Sequence, residues 1–364
     1  MKDPQKPVVA FEVGFTQFLN SEGKLTSALP PFAEDPKKMI ELYTAMVKNR
    51  SFDTKAITLQ RTGQLGTYAS TLGQEAIGVG IGAAMQKNDV FCPYYRDYGA
   101  QFWRGVKMSE VLLYWGGDER GSCYANKSED FPICVPISSQ TLHAVGVATA
   151  MKLRKEARVT VTVTGDGGTS RGDFYEAMNL AGIWKLPIVF VINNNQWAIS
   201  MPRKEQTAAE TLAQKGIAAG IPCEQIDGND IISVYQTLSE AIEKARLGGG
   251  PSLIEALSYR MSDHTTADDA KRYRPLEEVE FFKKQDPIHR LNLYLTEKGF
   301  WNDEKEKALQ EESLQEVEAA VQEYLNLPMD TPTAIFDYLY ETLPLSLAPQ
   351  RMEVETLQEE NKHG

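Results

Sequence analysis

Two polar runs stand where two strands end. Residues 165–168 (Gly-Asp-Gly-Gly) follow an alternating strand at 159–164, and Asn195 follows an apolar strand at 188–192. One helix, over roughly residues 172–185, separates the two strands. Open parallel sheets bind ligands at the carboxyl ends of their strands, and Mg²⁺ takes few oxygen ligands from protein and the rest from water and phosphate. The pattern therefore predicts a site for Mg²⁺ and a diphosphate.

Each residue type in these runs has an expected task. The carboxylate of Asp166 and the amide of Asn195 supply oxygen ligands for the cation. Glycine permits positive φ and close approach of a ligand to the backbone, which is the expectation for Gly165, Gly167 and Gly168. The following helix N-terminus aims backbone N–H groups at phosphate. Gly-Asp-Gly alone is more often an ordinary strand-to-helix turn, so the prediction depends on the spacing to Asn195.

These motifs resemble the thiamine diphosphate motif of thiamine-dependent enzymes, and the chain around them resembles the alpha subunit of the decarboxylating component of 2-oxoacid dehydrogenase complexes, most of all that of bacterial pyruvate dehydrogenase. The run 167–182 between them is closer still to that family. The resemblance extends over roughly residues 35–345, and both ends match poorly. Further matching runs are 65–68, 73–76, 95–97, 264–274 and 299–301.

The resemblance implies the thiamine diphosphate-binding fold, an α/β fold with a doubly wound, mostly parallel sheet and flanking helices. Strands that alternate with helices of ordinary length agree with this fold class. We expect an N-terminal arm at 1–35, an α/β domain at 36–274, a mostly helical region at 275–349 and a frayed tail at 350–364. The helices expected in the α/β domain run over about 36–61, 73–85, 139–155, 172–185 and 230–247, with Ser138 and Asp230 as caps.

The family's functional positions map onto this sequence residue by residue. For the metal, the resemblance implies Asp166, Asn195 and the backbone carbonyl of Trp197. For thiamine diphosphate, it implies Tyr95, Arg96, Val135, Ile137, Gly165, Asp166, Gly167, Gly168, Asn195 and His264. Arginine suits a diphosphate because its planar donors pair with phosphate oxygens.

His264 is the catalytic residue that the resemblance implies. Histidine titrates near neutral pH and can move protons. His264 lies in a polar loop, 261–274, which has no apolar anchor between Met261 and Tyr273. Because little burial opposes the entropy of such a loop, we expect that binding of the cofactor orders it. His143 stands on a helix where a packed or partly exposed histidine is the expectation. The loop at 116–132 lacks the second histidine of the family.

The implied reaction is oxidative decarboxylation of a 2-oxoacid with transfer of the acyl group to a lipoyl group. It requires a glutamate beside the aminopyrimidine, which the family supplies from a beta subunit. We therefore expect a heterotetramer of two alpha and two beta chains that works with a lipoyl acyltransferase. Pyruvate is the expected substrate, and branched-chain 2-oxoacids and acetoin are the alternatives. A catalytically silent regulatory or scaffold chain is the rival from another class.

The amino-acid composition further limits the classes of function that this protein can have. A net charge of −12 over 364 residues argues against a nucleic-acid partner or a membrane surface. The four cysteines show no metal-ligand spacing and suit a reducing cytoplasm. The first residues contain no apolar signal core, and no segment approaches the length of a membrane span. These observations favour a cytoplasmic enzyme subunit.

Overall fold

The structure is a computed structural model that describes residues 8–127, 129–337 and 339–362, with side chains of the last segment described to residue 358. Residues 1–7 of the expected arm and 363–364 of the expected tail lie outside the described residues. The chain divides into two compact units, one through Val321 and the other from Gln322 onward. The domain bounds expected at residues 35, 274 and 349 remain predictions.

The first unit is built around one parallel sheet. Its six strands have the order β1-β7-β8-β4-β3-β2, and every neighbouring pair is parallel. A separate two-stranded antiparallel sheet pairs β5 with β6. The strands are β1 Phe15–Thr16, β2 Val90–Cys92, β3 Thr160–Gly165, β4 Ile188–Asn194, β5 Trp197–Ala198, β6 Met201–Pro202, β7 Cys223–Asp227 and β8 Ser252–Leu257.

Helices alternate with the strands along the chain, and further helices follow β8. Among the described residues, none of them is long and apolar enough to cross a membrane. They are α1 Pro36–Arg61, α2 Glu75–Ala84, α3 Tyr98–Trp103, α4 Met108–Gly116, α5 Ser139–Arg154, α6 Gly172–Trp184, α7 Arg203–Gln206, α8 Lys215–Ala218, α9 Ile231–Arg246, α10 Leu276–Lys283, α11 Pro287–Glu297, α12 Asp303–Asn326 and α13 Ala348–Lys362. Short 3₁₀ turns occupy Pro31–Glu34, Glu119–Ser122, Asp166–Ser170, Ala270–Arg272 and Pro332–Phe336.

The core forms on both faces of the sheet because successive strand residues point to opposite sides. In β4, Val189 and Val191 pack with α2 and α9, whereas Phe190 and Ile192 pack with α5 and α6. This is the doubly wound arrangement that the sequence predicts, so the expected fold class is confirmed. Strand β3 alternates valine with threonine, yet all of its residues up to Thr164 are buried.

The N-terminal arm contributes a strand that the sequence analysis missed. Phe15 and Thr16 pair with Gln225 and Ile226 of β7 at the sheet edge. The carboxylate of Asp230 holds this segment, accepting from the backbone N–H of Leu19 at 2.9 Å. Asp230 also caps α9 as predicted. A two-residue strand is too short for hydrophobic periodicity to reveal.

The second unit contains α13, which the sequence analysis did not predict. Arg351 on this helix donates to Asp337 at 2.6 Å and to Glu355 at 3.1 Å. Residues 350–362, which the sequence analysis places in a frayed tail, are helical in the structure, and the tail as a separate region remains a prediction. Strongly polar helices show a weak periodic signal, and pairs spaced by four residues support them instead.

A buried carboxylate on α1 organises the segment that precedes α2. Asp53 accepts from the hydroxyls of Tyr68 at 2.8 Å and Ser70 at 2.6 Å, and from the backbone N–H of Thr71 at 2.8 Å. The carbonyl of Ser70 in turn accepts from Arg96 at 2.6 Å. Helix α1 therefore fixes a loop that supports a side chain at the carboxyl edge of the sheet.

The substitution Asp53→Ala should lower the free energy of unfolding by about 3 kcal/mol, because it leaves several buried donors without an acceptor. Asp35→Ala is the matched control, since Asp35 caps the same helix at an exposed position and should cost only about 1 kcal/mol. Chemical denaturation followed by circular dichroism measures both. Equal losses would show that the Asp53 cluster contributes no more than a surface cap.

Candidate functional site

The predicted residues meet at the carboxyl edge of the sheet. Adjacent strands β2, β3, β4 and β8 each end there, and the segments that follow them surround a cavity of about 180 Å³. Nearly all of the sequence-predicted residues line it: Tyr95, Arg96, Ile137, Gly165, Asp166, Gly167, Gly168, Asn195, Trp197 and His264. The exception is Val135, which is about half exposed and is not among the lining residues.

The proposed metal ligands line the same cavity and are buried. Burial raises the pKa of Asp166, while the amide of Gln206, donating to Oδ2 at 2.7 Å, lowers it. Asn195 donates through Nδ2 to Gln74 at 2.9 Å, so its Oδ1 faces the other way. The carbonyl of Trp197 accepts from Arg260 at 3.2 Å and retains a second lone pair. This oxygen-only donor set fits Mg²⁺.

The run of three asparagines divides into three tasks. Asn193 donates to Tyr94 and accepts from Ser258, both at 2.8 Å. Asn194 donates to the buried carboxylate of Glu255 at 2.6 Å. Only Asn195 lines the cavity. The first two asparagines therefore tie β4 to its surroundings, and the third is the one available to a ligand.

None of the three glycines has positive φ, and two of them, Gly167 and Gly168, serve close packing. Gly165, Gly167 and Gly168 are absent from the described residues with positive φ, so that expectation is wrong. A Cβ on Gly168 would lie 2.5 Å from the hydroxyl of Ser138, and one on Gly167 would lie 2.5 Å from Cβ of Ala198. The stretch after β3 is a 3₁₀ turn, Asp166–Ser170, and α6 begins only at Gly172.

Two buried guanidinium groups lie beside His264, and of these Arg96 lines the cavity whereas Arg260 does not. Arg96 donates to the carbonyls of Ser70 at 2.6 Å and His264 at 2.5 Å. Arg260 donates to the carbonyl of Ile199 at 2.7 Å and to the hydroxyl of Tyr273 at 2.9 Å. Burial, and secondly the charge of Arg96, lowers the pKa of Arg260 to about 10.

No carboxylate pairs with either guanidinium among the residues that the structure describes. Arg96 is 3% exposed and Arg260 is fully buried, and Nε of Arg260 has no hydrogen-bond partner. Unpaired buried charge is strongly destabilising. Of the two, Arg96 lines the cavity and is therefore suited to an anion that enters it, and a diphosphate has both the charge and the acceptor oxygens.

His264 sits between the two guanidinium groups. Its Nδ1 lies 3.1 Å from Nη2 of Arg96 and 3.3 Å from Nη1 of Arg260. Arginine can only donate, so Nδ1 must accept and the proton resides on Nε2. Burial, followed by the charges of Arg96 and Arg260, lowers the pKa of His264 to about 3. The ring is thus a neutral donor through Nε2.

The loop 261–274 is held by more contacts than its sequence suggests. Ala270 is buried, so the premise that the loop lacks an apolar anchor is wrong. Asp268 accepts from the backbone N–H of His264 at 2.9 Å and from the hydroxyl of Tyr273. Arg274 donates to the carbonyl of Ser262 at 3.0 Å. Local polar bonds, which are invisible to hydropathy, define the conformation of the loop.

Loop 116–132 does not supply a substitute for the missing second histidine. Arg120 pairs with Asp118, Tyr124 bonds to Gln101, and Lys127 donates to the carbonyl of Lys87. Within the described part of this loop, none of the three enters the cavity. His143 is exposed on α5, and its ring stacks on Phe131 with ring centroids 6.0 Å apart.

Some residues of the site escaped the sequence analysis. Ser138 starts α5, but its hydroxyl bonds to Thr164 and the carbonyl of Gly168 rather than capping the helix. Ser138, Gln196 and Ile199 have positive φ. For a β-branched residue such as Ile199 this is a rare conformation, and backbone strain concentrates at functional sites. Sequence offers no signal for these three positions.

The chain matches proteins of one family over most of its length. A sequence model described as "Dehydrogenase E1 component" matches residues 43–333. The chain is 42% identical to the pyruvate dehydrogenase E1 component subunit alpha of Staphylococcus aureus strain Mu50, over 92% of this chain and 90% of that one. It is 46% identical to the same-named subunit of Acholeplasma laidlawii, over 78% of this chain and 82% of the relative.

The geometry predicts that His264 stays neutral in ligand-free protein well below its ordinary pKa of 6.5, down to about pH 3. Between these values the unfolded chain binds a proton that the folded chain does not, so His264 makes stability fall as pH falls. Carbon-detected NMR of labelled histidine, assigned by His264→Gln, measures the titration. Arg96→Met should raise the pKa, and a wild-type midpoint near 6.5 would contradict the assignment.

Proposed function

Because this chain belongs to the dehydrogenase E1 component family, we propose that it is the alpha subunit of a thiamine diphosphate- and Mg²⁺-dependent pyruvate dehydrogenase. It acts in the oxidative decarboxylation of pyruvate and in acyl transfer to a lipoyl group. One observation carries the proposal: the buried carboxylate of Asp166 and the buried amide of Asn195 line one cavity together with the buried guanidinium of Arg96, which has no carboxylate partner among the described residues. That arrangement suits a cation and a diphosphate together.

Some residues of the site would bind the cofactor and its metal, and His264 would transfer a proton. Asp166, Asn195 and the carbonyl of Trp197 would hold Mg²⁺, and Arg96 would bind the diphosphate. Thiamine diphosphate supplies the electron sink that allows a 2-oxoacid to lose CO₂. An arginine that is paired with an anion lowers the pKa of a neighbouring imidazole less than an unpaired arginine does. Anion binding should therefore raise the pKa of His264, leaving Nε2 as its proton donor.

A second chain is part of the proposal. Chemistry at the aminopyrimidine needs a carboxylic acid beside it, and among the described residues Asp166 is the single carboxylate that lines the cavity. Asp166 already serves the cation. The acid therefore comes from a beta subunit, in a heterotetramer of two alpha and two beta chains that delivers acyl groups to a lipoyl acyltransferase. We place this assembly in the cytoplasm.

Pyruvate is favoured because the relatives at 42% and 46% identity carry that substrate in their names. Branched-chain 2-oxoacids and acetoin remain the alternatives, since one methylene in a pocket changes specificity by only about 1–3 kcal/mol. A catalytically silent scaffold chain is disfavoured because Asp166, Asn195, Arg96 and His264 all line one cavity.

Asp166→Ala should weaken Mg²⁺-dependent binding of thiamine diphosphate by more than about 100-fold, since changes beyond the direct ligands already cost 10–100-fold. Calorimetry at fixed Mg²⁺ measures the effect. Asp173→Ala is the matched control, because Asp173 pairs with Arg171 on the neighbouring helix, away from the cavity. Unchanged affinity in Asp166→Ala would remove Asp166 from the metal site.

The purified chain should not turn over pyruvate by itself, because it lacks the acid for the aminopyrimidine. Reconstitution with the beta chain should restore turnover, measured with an artificial electron acceptor. Pyruvate should exceed a branched 2-oxoacid by about tenfold or more in kcat/KM. Activity of the isolated chain would refute the shared active site, and a preference for the branched substrate would reassign the specificity.

A further inference from the structure

We propose that Gln74 is a positioning residue for the metal site, which turns the amide oxygen of Asn195 toward the cation. The inference rests on the proposed function, because it concerns the metal that Asn195 would bind. Gln74 does not line the cavity. It reaches the site through two residues that line the cavity: Asn195, whose Nδ2 donates to its Oε1 at 2.9 Å, and Tyr94, whose hydroxyl donates to the same oxygen at 3.4 Å.

A chain of buried hydrogen bonds runs to Gln74 in a direction that presents Oε1, and not Nε2, to Asn195. Ser258 Oγ donates to Asn193 Oδ1 at 2.8 Å, and Asn193 Nδ2 donates to the Tyr94 hydroxyl at 2.8 Å. Tyr94 has one hydroxyl proton, and its other contact is Oε1 of Gln74 at 3.4 Å. The proton of Tyr94 is therefore directed to Gln74.

The direction of this chain leaves one orientation for the amide of Asn195. Because Oε1 of Gln74 accepts from Tyr94, Asn195 must present its nitrogen to the same oxygen. Its Oδ1 then turns to the opposite side, where the backbone N–H of Trp197 donates at 3.3 Å. The remaining lone pair of Oδ1 is the one that serves a cation.

Two further observations separate this role from an ordinary structural one. Gln74 stands at the N-terminus of α2, yet its side chain makes no capping bond. Its Nε2 is buried without an acceptor. An unpartnered buried donor is unfavourable. If the side-chain amide of Gln74 were turned by 180°, its Nε2 would face the O–H of Tyr94 and the N–H of Asn195, which both donate to Oε1 in the structure. The observed orientation is therefore the one that gives Asn195 an acceptor.

The test compares Gln74→Met with wild type in the full chain assembled with its beta subunit. Binding of thiamine diphosphate is followed by tryptophan fluorescence at increasing Mg²⁺, because Trp197 lines the cavity, and Mn²⁺ binding is followed by electron paramagnetic resonance. The concentration of Mg²⁺ for half-maximal binding should rise about 10–100-fold. Saturating Mg²⁺ should largely restore cofactor binding.

The same substitution in an Asn195→Asp background distinguishes orientation from general damage. A carboxylate presents oxygen on both sides, so it needs no orienting partner, and Gln74→Met should there change the metal affinity less than about threefold. Equal losses in both backgrounds would overturn the proposal, as would wild-type affinity in Gln74→Met. Gln101→Met is the matched control, since Gln101 is an equally buried amide that bonds to Tyr124.

A second variant tests the proposal in case Gln74→Met does not fold. Tyr94→Phe removes the donor that fixes the orientation of Gln74 and should weaken Mg²⁺ binding about two- to tenfold. Unchanged metal affinity in Tyr94→Phe would overturn the proposal. A wild-type protein that shows no Mg²⁺-dependent binding of thiamine diphosphate would instead defeat the proposed function itself.

Discussion

The constraint on which the site depends is the burial of two arginines that have no carboxylate partner among the described residues. Arg96 and Arg260 both direct guanidinium nitrogens at His264. Such charges are tolerable only when many dipoles solvate them, and backbone carbonyls of Ser70 and Ile199 do so here. Burial and the positive charges of these two arginines lower the pKa of His264 and keep its imidazole neutral.

The fold delivers these groups from distant parts of the chain. Each of four adjacent strands ends at one edge of the sheet, which brings residues near 95, 166, 195 and 260 together. The loop 68–71 joins them from helix α1, and Tyr68 exchanges backbone-directed bonds with Thr266 of the histidine loop. Asp53 fixes this loop, so a carboxylate outside the cavity influences both Arg96 and the loop of His264.

The sequence was sufficient for the parts of the site that depend on local pattern. The sequence pattern of strand, turn, helix and second strand predicted two parallel strands joined by a helix. Parallel strands place Asp166 and Asn195 at the same carboxyl edge of the sheet. The positions of Gln74 and Arg260 could not be predicted, because their partners lie far away in sequence and either residue type suits a surface equally well. The reason for the glycines was also hidden, since close packing against Ser138 is a tertiary fact.

The three asparagines show where local pattern stops being informative. Strand alternation places Asn193 and Asn194 on opposite faces of β4, and each face offers a different partner, Tyr94 or Glu255. Asn195 lies beyond the strand, where alternation no longer applies. The orientation of its side-chain amide instead depends on Gln74 and on the hydroxyl of Tyr94, which accepts a hydrogen bond from Asn193 and donates one to Gln74. The first asparagine of the run thus helps to orient the third, through side chains that come from two other segments of the chain.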